Sequence, residues 1–131
     1  MKTPYRVISG IAFCAAAVVA SAARTATVDL PERIQTILQR NCAVSGCHRG
    51  HFPAKKLNLT PGVFPDNAIG VASREAPGMK LVDSADPDKS YLLMKVAGRE
   101  GIAGKRMPLG RKPLEPEEIQ ALLDWIDGLE R

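Results

Sequence analysis

The chain has 131 residues, 45% hydrophobic and 24% charged, with a formal charge of +4. That length supports one globular domain with one modest core, and so small a positive surplus does not suggest nucleic acid as a partner. Aromatic residues make up only 5%, a thin supply for a small core, so a large apolar group bound inside would add surface that the side chains lack.

The N-terminus reads as an export signal. Lys2 and Arg6 precede an apolar run from Val7 to Ala20, and Ser21-Ala22-Ala23 supplies the small residues that signal peptidase accepts. Residues 1–23 are therefore expected to be removed, Cys14 with them, which takes the formal charge down by the two units of Lys2 and Arg6. A membrane anchor is not expected, because the 17 residues from Val7 to Ala23, many of them alanine, fall short of the ~20 that span a bilayer comfortably.

After a short tail, Asp29 is placed to cap a helix with Pro31 in its first turn. Ile34, Ile37, Leu38 and Cys42 recur at intervals of three and four, a single apolar stripe that delivers Cys42 on a buried face.

Cys42-Ala43-Val44-Ser45-Gly46-Cys47-His48 then puts two thiols and an imidazole within seven residues. A histidine directly after the second cysteine is the arrangement that covalent haem attachment needs. Each thiol adds across one vinyl group as a thioether, and the second bond anchors the ring so that the next side chain reaches the iron. The common form has two residues between the cysteines, whereas this chain has four. The vinyl positions are fixed by the porphyrin, so the additional residues must bulge outward, which small Ala43 and Ser45 and the permissive Gly46 allow. Three other readings compete. A thioredoxin-type redox pair wants two intervening residues beside a βαβ pattern, and neither is here. Cys42 and Cys47 could close a short disulfide loop, which leaves His48 unexplained. Cys42, Cys47, His48 and His51 could hold zinc, but adjacent residues rarely chelate one ion without strain.

From Arg49 to Pro77 the chain is a Gly-, Pro- and Asn-rich loop of 29 residues, a length that a compact domain seldom carries unless something organises it. His51 is expected at its surface. Leu57-Asn58-Leu59 is a short extended piece expected to pair with Lys80 to Val82. A second, largely buried helix is expected from Asp86-Pro87 to Ala97, stopped by Gly98.

Gly98 to Leu114 is loop again, with Arg99, Lys105, Arg106, Arg111 and Lys112 against the single acid Glu100. These cations are expected either to offset cofactor carboxylates or to dock an acidic partner. Three methionines could supply a second iron ligand. Met94 lies mid-helix among apolar neighbours, and Met79 precedes the extended piece. Met107 sits in irregular chain between Gly104 and Pro108, where the backbone can bring its thioether to the far face of a haem, so it is the expected ligand. The last helix starts near Glu115-Pro116, with Glu117 and Glu118 in its first turn. Ile119, Leu122, Trp125, Ile126 and Leu129 form its inner face, and Asp124 and Asp127 its outer one.

Taken with the helix before Cys42, with Leu57-Asn58-Leu59, Asp86-Pro87-Asp88-Lys89-Ser90-Tyr91-Leu92, Arg106-Met107-Pro108, and Glu118-Ile119 with Trp125-Ile126, the Cys47-His48 pair makes the chain resemble the class I cytochrome c family, in particular its small bacterial domains. The resemblance runs from about Asp29 to Leu129 and departs from the family at the widened cysteine spacing. It implies an all-α fold over residues 29–131, three main helices with long loops around one haem c, the first and last helices crossing beside it, and electron transfer as the activity. The expectation is a periplasmic c-type cytochrome, held at Cys42 and Cys47, ligated by His48 and Met107, passing electrons to a redox protein docked near the haem edge and transforming no small-molecule substrate. Two alternatives are a five-coordinate haem protein that senses gas or reacts with peroxide, and a disulfide-stapled interaction module without haem. Mass spectrometry of the exported protein should find a chain beginning after Ala22 or Ala23; an intact Met1 start would contradict the signal reading.

Overall fold

The computed structural model describes residues 28–130, so the expected signal at residues 1–23 lies outside the described residues. Four α-helices, α1 (Glu32–Asn41), α2 (Phe64–Ala68), α3 (Tyr91–Ala97) and α4 (Pro116–Asp127), supply the regular structure, joined by short 3₁₀ turns at Ala54–Lys56, Pro87–Lys89 and Gly128–Glu130. Among the described residues there is no strand, only isolated bridges. No helix among them is long and apolar enough to cross a membrane.

α1 carries the expected stripe, with Ile34, Ile37 and Leu38 buried. Its start differs: Pro31, not Asp29, occupies the cap position, and no side chain caps the helix. Proline needs no amide partner and presets φ, so the helix begins without a capping hydroxyl or carboxylate. α4 begins as expected, with a reciprocal capping box between Glu115 and Glu118. Leu122 and Ile126 are fully buried, while Ile119, Trp125 and Leu129 pack against the core from its margin. α1 and α4 pack together, and their polar rims are tied where the Arg33 guanidinium donates to the Glu117 carbonyl at 3.0 Å and the Asn41 amide to Glu118 at 3.4 Å.

Three expectations are corrected. The long loop after Arg49 contains α2, whose Phe64 is fully buried and meets Trp125 of α4 at 5.5 Å between ring centres; five residues with a proline in the first turn are too few to show a helical period. Lys80 to Val82 does not pair with Leu57 to Leu59. Val82 bridges Ile69 and Lys80 bridges Ala72, while the Leu59 amide donates to the His48 carbonyl at 2.8 Å. The helix expected from Asp86 is broken at Ser90, whose backbone is extended between the Pro87–Lys89 turn and α3. The Ser90 hydroxyl accepts the Asp83 amide at 2.9 Å, and the first amides of α3, at Tyr91 and Leu92, donate to the carbonyls of Lys80 and Leu81. The 80–83 segment thus satisfies donors that a continuous helix would have satisfied internally.

The core gathers Leu38, Phe64, Val82, Leu93, Leu122 and Ile126 between α1, α3 and α4. Leu93→Ala removes a side chain with no exposure and should cost about 2–5 kcal/mol, whereas Val63→Ala at an exposed position should stay within about 0.5 kcal/mol. Urea unfolding of the two variants checks this.

Candidate functional site

α1 ends by handing a carbonyl of its last turn to the motif. Cys42 and Ala43 both donate their amides to the Leu38 carbonyl, at 2.9 and 2.7 Å, leaving Cys42 buried at the C-terminal end of the helix. The chain then turns tightly, Cys47 N–H donating to the Val44 carbonyl at 3.1 Å, and closes where His48 N–H donates to the Cys42 carbonyl at 3.2 Å. Gly46 takes φ 77° with nothing near the position a Cβ would occupy. Ser45 and Gly46 are exposed, Gly46 also borders the cleft described below, and Ala43 is buried, so the four residues between the cysteines are accommodated by a turn exposed at Ser45 and by tucking Ala43 into the core.

His48 is oriented from the following loop. Its Nδ1 lies 3.1 Å from the Leu57 carbonyl oxygen. A carbonyl only accepts, so the ring makes this bond with its hydrogen on Nδ1, and the neutral tautomer that does so has its lone pair on Nε2. The bond from Leu59 N–H to the His48 carbonyl makes a second tie to the same segment.

Met107 is positioned by the open end of α3. The last carbonyls of a helix lack internal partners, and here the 99–107 loop supplies them: Met107 N–H donates to Lys95 O at 2.9 Å and Arg106 Nε donates to Val96 O at 2.8 Å. The Arg106 side chain runs over Gly98, where a Cβ would sit 2.8 Å from its Cδ and where φ is 68°. The left-handed φ favours glycine there, and a Cβ would also have to displace the Arg106 side chain.

These segments enclose a cleft of about 400 Å³, within the ~300–1,000 Å³ usual for cofactor and small-ligand sites. Cys42, Cys47, His48 and Met107 all line it, so the four site residues expected from the sequence are brought together. Leu57, Leu59, Leu81, Leu92 and Val96 form its apolar walls. Met79 and Met94 are half-buried and do not line it, and His51 is exposed as expected. Both Cys42 and Cys47 are free thiols. Burial, aided by Glu118 and opposed by Arg111, pushes the Cys42 thiol up to about 11, so it is protonated at neutral pH. Among the described residues no three His, Cys, Asp or Glu side chains gather as a metal group, so the four-ligand zinc set is not assembled.

One part of the wall was not anticipated. Lys95, alone among the buried residues of α3 in being charged, reaches the cleft with Tyr91, and there both meet Glu75. Lys95 Nζ lies 3.1 Å from Glu75 Oε2 and Lys55 Nζ 3.4 Å from Oε1, while the Tyr91 hydroxyl donates to Oε2 at 3.4 Å and accepts Ala103 N–H at 2.9 Å. The only sequence signal was a lysine inside the apolar run Tyr91 to Ala97. Lys55 and Lys56 adopt consecutive left-handed φ values of 56° and 57°, unusual for residues with a Cβ and characteristic of functional segments.

The basic loop is largely tied to its own chain. Arg99 pairs with Asp88 at 2.9 Å, Arg106 caps α3, Arg111 donates to the Arg40 carbonyl at 3.0 Å, and Lys112 pairs with Glu115. Only Lys105 among the five is exposed with no such tie shown. Comparisons with family models, with characterised proteins and with solved structures return no match for this chain.

Burial raises the Glu75 carboxyl, but the Lys95 and Lys55 ammonium groups outweigh it and hold the group below its ordinary value of 4.5. A carboxyl lowered by folding adds stability that is present above its unfolded pKa and lost as pH falls through the folded one. Glu75→Gln should therefore be less stable than wild type at pH 7, with the difference shrinking as pH falls below about 4.5. Urea midpoints across that range test this; a difference independent of pH would contradict it.

Proposed function

We propose that the protein is a c-type cytochrome that carries single electrons through one covalently bound haem, as a free periplasmic carrier or as a small subunit of an oxidoreductase. The observation that carries this reading is that Cys42, Cys47, His48 and Met107, read from the sequence as attachment and ligand residues, line one apolar cleft. The resemblance to class I cytochromes c is supported by the packing of α1 against α4 and by the loop-built walls.

The donor set fits the group. Two thiols on one cleft could form two thioethers, an imidazole with Nδ1 engaged could offer Nε2, and a thioether sulfur could serve as a second iron ligand. The charges fit as well: five cationic side chains line the cleft, Lys55, Lys56, Arg74, Lys95 and Arg111, against the carboxylates of Asp66 and Glu75. An apolar cleft with surplus positive charge suits a flat apolar ligand that carries carboxylates, and haem has two.

When bound, haem supplies reversible one-electron iron chemistry. The chain's part is to hold and tune it. Cys42 and Cys47 would fasten the ring, and His48 and Met107 would supply nitrogen and sulfur to the iron; a methionine ligand would raise the potential and close the iron to external ligands, which favours a carrier over a five-coordinate sensor. Leu57, Leu59, Leu92 and Val96 keep water from the ring. The rim carries the exposed apolar residues Val71 and Leu109, where a redox protein would dock near the haem edge. No small-molecule substrate is transformed.

Protein matured in the periplasm should show low-spin c-type bands. Met107→Ala should abolish the weak far-red band of sulfur-ligated ferric haem, lower the reduction potential, and let carbon monoxide bind. High-spin bands in the wild type would overturn the six-coordinate carrier, and no haem bands at all would overturn the cytochrome reading. A variant with unchanged bands and potential would place the ligand elsewhere.

A further inference from the structure

The cluster of Lys95, Lys55, Tyr91 and Glu75 lies on the cleft wall, with the Lys55 side chain 67% exposed to solvent and that of Lys95 buried against the cleft. Two ammonium groups converge on a single carboxylate, and Tyr91 adds no charge. Lys95 is the informative member, because its side chain is only 9% exposed and buried lysines require both a counter-charge and full hydrogen bonding. Its ammonium carries three donors. One goes to the Ala103 carbonyl at 2.7 Å and one to Glu75 Oε2 at 3.1 Å, leaving the third to be met from the cleft that Lys95 lines.

We propose that Lys95 is the anchor for a carboxylate of the bound cofactor, a haem propionate, with Glu75 as the fixed anion that shares the ammonium and the Tyr91 hydroxyl as the brace that holds Glu75 in place. This rests on the haem reading above. The anchoring bond is charge-assisted, and such bonds are shorter and stronger than neutral ones, the more so in a water-poor site. Tyr91 fixes the geometry from both sides: it accepts the amide of Ala103, whose carbonyl holds Lys95, and donates to the carboxylate that Lys95 pairs with. Lys55, in the Ala54–Lys56 turn, joins the cluster through Glu75 Oε1. Lys95 is thus a positioning residue: it would hold the propionate edge of the ring, while the helix that carries it also supplies, through Lys95 O, the acceptor for Met107 N–H. One residue therefore links the propionate edge to the segment bearing the distal sulfur.

The test uses periplasm-matured protein and two readouts. Haem content per chain, from the alkaline pyridine spectrum, asks about the haem reading alone; if the wild type holds none, that reading fails and this inference falls with it. Resonance Raman then follows the propionate bending bands, which respond to hydrogen bonding at the carboxylates. In a haem-replete Lys95→Met variant one bending band should shift from its wild-type position, and Lys95→Arg should restore it. Bands identical to wild type in Lys95→Met at full haem content overturn the anchor while leaving the cytochrome reading intact. Should Lys95→Met fail to mature, Glu75→Gln decides: with the competing anion gone, the same band should move in the direction of stronger hydrogen bonding, and a band that stays still overturns the proposal.

Discussion

A cleft of about 400 Å³ in the middle of a chain this small is the constraint on which the other features depend. Its walls rest on a core of Phe64, Trp125 and a few aliphatic side chains and are held in place by hydrogen bonds. The hydrogen bonds that do this are mostly between backbone groups and the open ends of helices. α1 presents the Leu38 carbonyl to Cys42 and Ala43, and α3 presents Lys95 O and Val96 O to the Met107 loop. Each helix terminus that would otherwise need water instead fixes a residue of the site.

The division of labour between helices and loops follows. The helices are short, α3 having seven residues, and on their own would be marginal in water. They persist because their apolar faces meet in one core. The loops carry the chemistry, in keeping with the general placement of functional residues on segments that a rigid scaffold positions. His48 shows how closely the two are joined: its ring is oriented by Leu57 and its backbone by Leu59, so a loop rich in Gly, Pro and Asn is ordered by the residue it orders.

What was legible in the sequence was whatever declares itself by chemistry or by a long period. Cys42, Cys47, His48 and Met107 stand out because few residue types do what they do, and α4 stands out because its cap, acidic first turn and apolar stripe all agree. The pairing of Lys80 to Val82 was not legible, because a three-residue apolar run fits several partners equally and the choice is made by which backbone groups are already engaged; Leu59 was held by His48, leaving residues 69–72. The break at Ser90 was hidden for a similar reason, since Asp86-Pro87 is as good a start for a 3₁₀ turn as for an α-helix, and the Asp83 amide decides between them. Lys95 was hidden because a lone lysine in an apolar helix resembles one that extends its stem along the surface to water. Only the fold shows it turned inward, onto Glu75.

The central claim is that Cys42 and Cys47 hold haem through carbon–sulfur bonds. The most direct measurement is the mass of the exported polypeptide after acid denaturation and extraction with organic solvent. The account predicts one haem remaining with each chain, joined through the Cys42–His48 segment. A chain of unmodified mass, with the haem in the organic phase or none found, would contradict it.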